Sequence, residues 1–498
     1  VPDSTSGTGE GVEVRDTGGA EERGSAVNQE ANDPHVPGAG ATAAALESTV
    51  DALMDGVCAD LKRLAAIPSI AFPGFSPEPV LQARDLLVAL LRDAGVATIG
   101  ELNLPATAPV ITGSIPPPTP DAPTVLLYGH YDVQPPGDER LWTSAPFEPA
   151  DFHEPAGGPA IRARGIADDK ANLMAHIGAL RAYRGRPPVG IKIIFEGQEE
   201  YGSAFEAYPP SEPDLFACDA MIIADTGNIR PGTPTLTTAL RGSAVVLVEV
   251  RTLKSAVHSG EYGGAAPDAL LTLLKALGTL HDVHGDVAVE GLRREPWHGT
   301  ALTEEEFRDL AGVLPGTPLP GSGGLGERLW NGPALTVVGL DAPSVDRAAS
   351  AVVPYARAKL NLRVHPREDP KEAQAALVRH LQRLRPFGIP LTVTPGEAGP
   401  GYEAATDGPA YRAARTALRR AWGTDPVHCA SGGSIPLVNG LAEAAPNAEI
   451  LLFGAEDNLC NLHGPDERVL RSELRGHLLA EAAFLAEYAA GHRAGPTL

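Results

Sequence analysis

No apolar run in this 498-residue chain approaches the roughly 18 residues of a membrane-spanning helix, and none near the start resembles the core of a secretion signal. Basic charge is also short: 40 Lys and Arg stand against 63 Asp and Glu, a formal charge of −23. Nucleic acid and anionic membranes are therefore excluded as expected partners, since either needs a basic face. Cysteine is sparse. Cys58, Cys218, Cys429 and Cys460 show no Cys-x-x-Cys spacing and cannot build a disulfide framework, so reduced thiols and a cytoplasmic location are expected. Residues 1–45 hold no Leu, Ile, Phe, Met, Trp or Tyr and cannot bury a core, so a disordered leader is expected there.

Order is expected from Leu46, where Leu46, Val50, Leu53, Val57, Leu61 and Leu64 trace one helical face. A second helix is predicted over 78–94. Apolar runs then alternate with helical stretches to about Pro234, the pattern of an α/β fold with a largely parallel central sheet and flanking helices. Near Leu240 the character changes. Strands are predicted over 244–250, 334–338 and 358–364, and helices over 267–277 and 371–384, which together make a small α+β layer. After about Pro400 the α/β pattern resumes. Two domains are thus expected from a chain too long for one core: 46–239 with 400–498, and an insertion at 240–399. The Gly- and Pro-rich segment 283–333 shows no readable chemistry beyond a short helical piece at 303–314.

Five acidic or histidine clusters stand out. His130 and Asp132 end the apolar run 123–128, just before the break at Pro135-Pro136-Gly137. Side chains two apart on a strand share a face, and a carboxylate that accepts one imidazole N–H leaves the other ring nitrogen free for a cation. Asp168 and Asp169 precede a helical segment, where, taken alone, helix capping is the better reason for them. Glu196, Glu199 and Glu200 follow the apolar run 191–195; they are either solvated acids or a pair that divides labour, one binding metal and the other acting as base. Asp225 ends the run 220–224, and His463 lies beyond the run 450–453. Ligands in open α/β sheets gather beyond the carboxyl ends of parallel strands, so these sites are expected to converge, and two histidines with three carboxylates suit a pair of divalent ions.

The ordered set Gly129–Pro135, Trp142 with Pro146-Phe147, Arg164–Lys170, Glu196–Ser203, His258-Ser259-Gly260, Gly263-Gly264, Gly432–Pro436 and His463 covers roughly residues 46–490. In that order and spacing the chain resembles the carnosinase-like dipeptidases, within the superfamily of carboxypeptidase G, the aminoacylases and the succinyl-diaminopimelate desuccinylases. The resemblance implies a zinc-peptidase-like catalytic domain with an inserted lid and dimerisation domain. It implies two divalent ions per subunit, Zn²⁺ first and Mn²⁺ or Co²⁺ as alternatives. His130 and Asp225 would hold one ion, Glu200 and His463 the other, and Asp168 would bridge them. Glu199 would be the general base, Asp132 would orient His130, and the peptide between Asp168 and Asp169 would be cis.

From the lid, His258 would stabilise the oxyanion in the other subunit's site, although a structural histidine in a Ser/Gly-rich turn has the same sequence. Arg363 would bind the substrate carboxylate, with an exposed strand arginine as the alternative. Gly432, Gly433 and Ser434 would close the backbone on the substrate. Two departures from the family pattern occur: Ala430-Ser431 stands where Arg-Glu is frequent, and Ala171 replaces a glycine after Asp168-Asp169-Lys170. The expected activity is metal-dependent hydrolysis of dipeptides by a water bridging two metals, in a homodimer paired through the lid. The alternatives are hydrolysis of N-acyl or N-succinyl amino acids, and a silent protein that keeps the fold as a binding or dimerisation module.

Overall fold

The computed structural model describes residues 43–155, 157–433 and 435–493. Most of the expected leader, and Ser434, lie outside the described residues. The first helix spans Ala43–Ala65 and so includes Leu46 and the residues of its predicted face. The described residues divide into two compact units, one reaching to residue 236 and including 406–426 and the stretch from 440 onward, the other within 237–405 and 427–439.

The first unit is built on a mixed sheet in which the strands run in the spatial order Thr98–Leu102, Val110–Ile115, Gly190–Glu196, Thr124–His130, Ala220–Ile223, Glu449–Leu452. The last four pair in parallel. They are the four apolar runs of the sequence, and their continuous hydrophobicity fits strands buried on both faces. Thr98–Leu102 and Val110–Ile115 pair antiparallel, so of these six strands only the last four run parallel. Helices Ala43–Ala65, Lys170–Ala182 and Arg471–Arg493 pack together in this unit. The Lys170–Ala182 helix is buried on nearly every side, which explains its lack of a polar face. A separate small sheet pairs Gly158–Arg162 with Ala150–Glu154 and Arg468–Leu470 and ties the His463 segment to the loop carrying Asp168.

The second unit holds an antiparallel sheet ordered Ala334–Asp341, Tyr355–Val364, Gly242–Arg251, Thr392–Gly399. Along Gly242–Arg251 every second residue is buried, the alternation of a sheet covered on one face. Ala244, Val246, Val248, Leu360 and Leu362 form its core with Leu273, Leu377 and Leu381 from helices Ala269–Leu277 and Pro370–Arg383. In the segment without readable chemistry, helix Glu304–Leu310 starts at a capping box between Thr303 and Glu306.

Candidate metal centre

The parallel strands end along one edge of the sheet, and each delivers an acid or a histidine there. His130 is the last residue of Thr124–His130, Asp225 lies two residues past Ala220–Ile223, and Glu199 and Glu200 follow Gly190–Glu196 by three and four residues. Asp168 stands two residues before helix Lys170–Ala182, and its peptide bond to Asp169 is cis. His463 sits in a loop where Asn461, His463 and Asp466 all have φ between 56° and 60°, a left-handed backbone rare for residues with a side chain. Such a backbone persists where the surrounding structure fixes it.

Asp168 presents one oxygen to each histidine. Its Oδ1 lies 2.9 Å from His130 Nε2 and its Oδ2 3.0 Å from His463 Nε2. Asp225 approaches His130 Nε2 to 3.9 Å, and Glu200 approaches His463 Nε2 to 3.3 Å. Ligand atoms of His130, Glu199 and Asp225 lie within 4.8 Å of one another, as do those of Asp168, Glu200 and His463, and those of Asp168, Asp225 and Glu456. His130 is buried, and its Nε2 makes no hydrogen bond within the described residues although it points into this cluster of carboxylates. An orphaned imidazole nitrogen among converging acids is the donor arrangement that a divalent cation satisfies, so the residues present fit a metal pair.

Burial and like charge set the electrostatics. Burial pushes Glu199 up to about 8, with Glu196 and Asp132 adding to the shift and His130 opposing it. Burial, reinforced by Glu199, carries Asp225 well above the usual carboxylate range. Asp168 moves the other way: burial would raise it, but the imidazoles of His130 and His463 facing its two oxygens outweigh that and lower it. His463 is raised to about 10 by Asp168 and Glu200. A cation placed among these groups favours ionised carboxylates and neutral imidazoles.

The supporting contacts are dense. Asp132 Oδ1 accepts the Glu199 N–H at 2.9 Å and Oδ2 accepts that of Glu200 at 3.2 Å, while Oδ1 lies 3.4 Å from His130 Nδ1. This aspartate therefore holds the Glu pair as well as the histidine. Asp169 accepts the His130 N–H at 2.8 Å. Gln134 donates to Glu200 Oε2 at 2.8 Å. Glu467 is fully buried; it pairs with Arg164 at 2.7 Å and accepts the N–H groups of Gly165, Ala167 and Asp168 at 2.8, 3.0 and 3.2 Å.

In the second unit, His258 is exposed and its Nδ1 accepts the Gly260 N–H at 3.1 Å. Arg363 is half-buried on strand Tyr355–Val364, and its carbonyl accepts from Arg241 at 3.2 Å. Arg241 is buried, with Leu329 and Gly332 carbonyls as its other partners, and burial lowers it to about 10. Gly432 and Gly433 follow strand Val427–Ser431 in a bend. The sequence reading did not single out Glu456 or Arg241, and it gave Glu467 no role.

Comparison with known proteins identifies the family. The model of peptidase family M20/M25/M40 matches residues 126–489. The chain is 36% identical over 379 residues to the cysteinylglycine-S-conjugate dipeptidase of Corynebacterium striatum, an alignment that covers 74% of this chain and 82% of that one. It is 28% identical over 386 residues to the β-Ala-His dipeptidase of Homo sapiens, covering 73% and 74%. The crystal structure of human carnosine dipeptidase 1 matches with a TM-score of 0.74 at 25% identity, over 90% of this chain and 99% of that one. With a family match across most of its length and a relative this similar, the chain belongs to peptidase family M20/M25/M40.

Proposed function

We propose that this protein is a dinuclear metal-dependent dipeptidase. The observation that carries the reading is Asp168, whose two oxygens face two different imidazoles, with Asp225 and Glu200 completing one group on each side. Two divalent ions, one held by His130 and Asp225, one by Glu200 and His463, and both sharing Asp168, would supply the Lewis acidity that polarises the scissile carbonyl and acidifies the attacking water. Glu199 takes the proton from that water and returns it to the leaving amine, a task suited to a half-buried carboxylate beside the ligands. Asp132 fixes the backbone of the Glu pair, so the base keeps its position through the cycle.

His258, supplied by the second copy of a homodimer, donates a hydrogen bond to the developing oxyanion. Arg363 holds the substrate carboxylate, and Gly432 and Gly433 let the backbone approach the substrate closely. Homodimerisation is supported by the outer strand Ala334–Asp341, where Val337, Val338 and Leu340 are each 45–54% exposed along an edge open to pairing. Among the described residues no helix is long and apolar enough to cross a membrane. Four free cysteines, three of them buried, fit a reducing cytoplasm.

The test is a panel of dipeptides and N-acyl amino acids offered to chelator-treated protein reloaded with Zn²⁺, Mn²⁺ or Co²⁺. Release of two free amino acids from dipeptides is expected. Turnover of N-acyl substrates alone would replace this reading with an amidohydrolase, and inactivity under every metal would replace it with a silent module.

A further inference from the structure

Glu456 is 5% exposed, and the chain is shaped to put it there. The short parallel pair Gly227–Asn228 with Glu456–Asp457 sets Glu456 opposite Gly227, two residues past Asp225. Two glycines permit that approach. A Cβ on Gly227 would meet the Glu456 carbonyl oxygen at 2.3 Å, and one on Gly454 would meet the Thr226 carbonyl oxygen at 2.1 Å. The two segments are as close as backbones without side chains allow.

The carboxylate so placed is poorly compensated. Asn172 Nδ2 donates to it at 3.2 Å, but the same amide group also donates to Asp169 at 2.5 Å, and the Asn172 oxygen accepts the Ala455 N–H at 2.7 Å. Among the described residues no arginine, lysine or histidine forms an ion pair with Glu456. It faces Asp168 and Asp225 instead, with ligand atoms of all three within 4.8 Å, and the orphaned Nε2 of buried His130 points at the same two aspartates. A buried carboxylate with one shared neutral partner, pressed on two more carboxylates, is costly unless a cation lies among them.

We propose that Glu456 is an additional oxygen donor to the ion on the His130–Asp225 side, and that it makes the two metal positions unequal. This rests on the dinuclear reading. One position then draws on one imidazole and three carboxylates (His130, Asp168, Asp225, Glu456), the other on one imidazole and two (His463, Asp168, Glu200). Carboxylate-rich sets suit Mn²⁺, whereas imidazole serves Zn²⁺ equally well, so the His130 side is the position with the greater preference for Mn²⁺.

The experiment compares wild type with Glu456→Gln by equilibrium dialysis of chelator-treated protein against Mn²⁺ or Zn²⁺, with bound metal counted by elemental analysis. Wild type should bind two ions. Glu456→Gln should lose about 10–100-fold in Mn²⁺ affinity at one position, with a smaller loss for Zn²⁺. Melting of the metal-free protein should be unchanged or higher in the variant, because a repelled carboxylate has been removed. A merely structural role would give the opposite pair, a less stable metal-free protein with unchanged Mn²⁺ affinity, and would overturn the proposal. If Glu456→Gln does not fold, Glu456→Asp keeps the charge but shortens its reach, and it must show the same Mn²⁺ loss. Wild type binding fewer than two ions overturns the dinuclear reading itself; two ions in wild type with Mn²⁺ affinity unchanged in the variant overturns only the role of Glu456.

Discussion

Replacing Glu467 by glutamine tests whether the Asp168 loop is held from behind. In the native chain one carboxylate serves four donors, the Arg164 guanidinium and the N–H groups of Gly165, Ala167 and Asp168, with both charged side chains about 1% exposed. A glutamine keeps one acceptor oxygen and turns an NH₂ group towards donors. Arg164 then remains buried without its carboxylate, a loss of about 3–5 kcal/mol, and at least one backbone N–H loses its acceptor. At roughly 1.4 kcal/mol per factor of ten, local opening of the loop should become about 10²–10⁴-fold more frequent. Hydrogen–deuterium exchange of fragments covering 163–170 reads this directly, with the Thr124–His130 strand as internal reference. Arg164→Met should cost less, because Glu467 keeps its three backbone donors. Protection of 163–170 within threefold of wild type in Glu467→Gln would refute the reasoning.

Asp132→Asn should weaken metal binding about 10–100-fold, since an amide cannot accept from both Glu199 and Glu200 and no longer favours one His130 tautomer; dialysis with elemental analysis measures it. His477 is buried, its two ring nitrogens make no hydrogen bond among the described residues, and burial followed by repulsion from His176 lowers it well below its ordinary value. Its protonation therefore favours the unfolded chain: the stability tied to its neutral form is intact above about pH 6.5 and is lost below, by up to about 1.4 kcal/mol per pH unit. Glu481 and His176 are the titratable groups beside it, and His176 is shifted the other way because Glu481 outweighs its burial. In urea unfolding at pH 7.5 and 5.5, His477→Leu should lose less stability on acidification than wild type; an equal loss would show that His477 does not contribute.

The candidate ligands and base at the strand ends were legible because each sits where an apolar run stops, and a strand buried on both faces leaves a plain signature in sequence. His130, Glu199, Glu200 and Asp225 share that signal, and the sheet brings their strands together. Glu456 carries no such mark. It belongs to a two-residue strand paired with another two-residue strand, and only Gly227 and Gly454, read as sites of close backbone approach, could have hinted at it. Glu467 follows His463 by four residues, yet its role arises from donors about 300 residues away. Arg241 carries no mark in the sequence either, since its three carbonyl partners come from two distant segments. The antiparallel outer strands were likewise invisible as to direction, since alternation and apolar content do not report which way a neighbour runs.

The division of labour between two adjacent glutamates is the centre of the account, because Glu199 also stands within ligand distance of His130 and Asp225. Metal content and turnover of Glu199→Gln and Glu200→Gln, measured on the same preparations, decide it. Glu199→Gln should retain two ions and lose about 10²–10⁴-fold in turnover of a dipeptide, as removal of a general base does, while Glu200→Gln should lose an ion. A Glu199→Gln protein with an emptied site beside a Glu200→Gln protein with both ions would contradict the assignment.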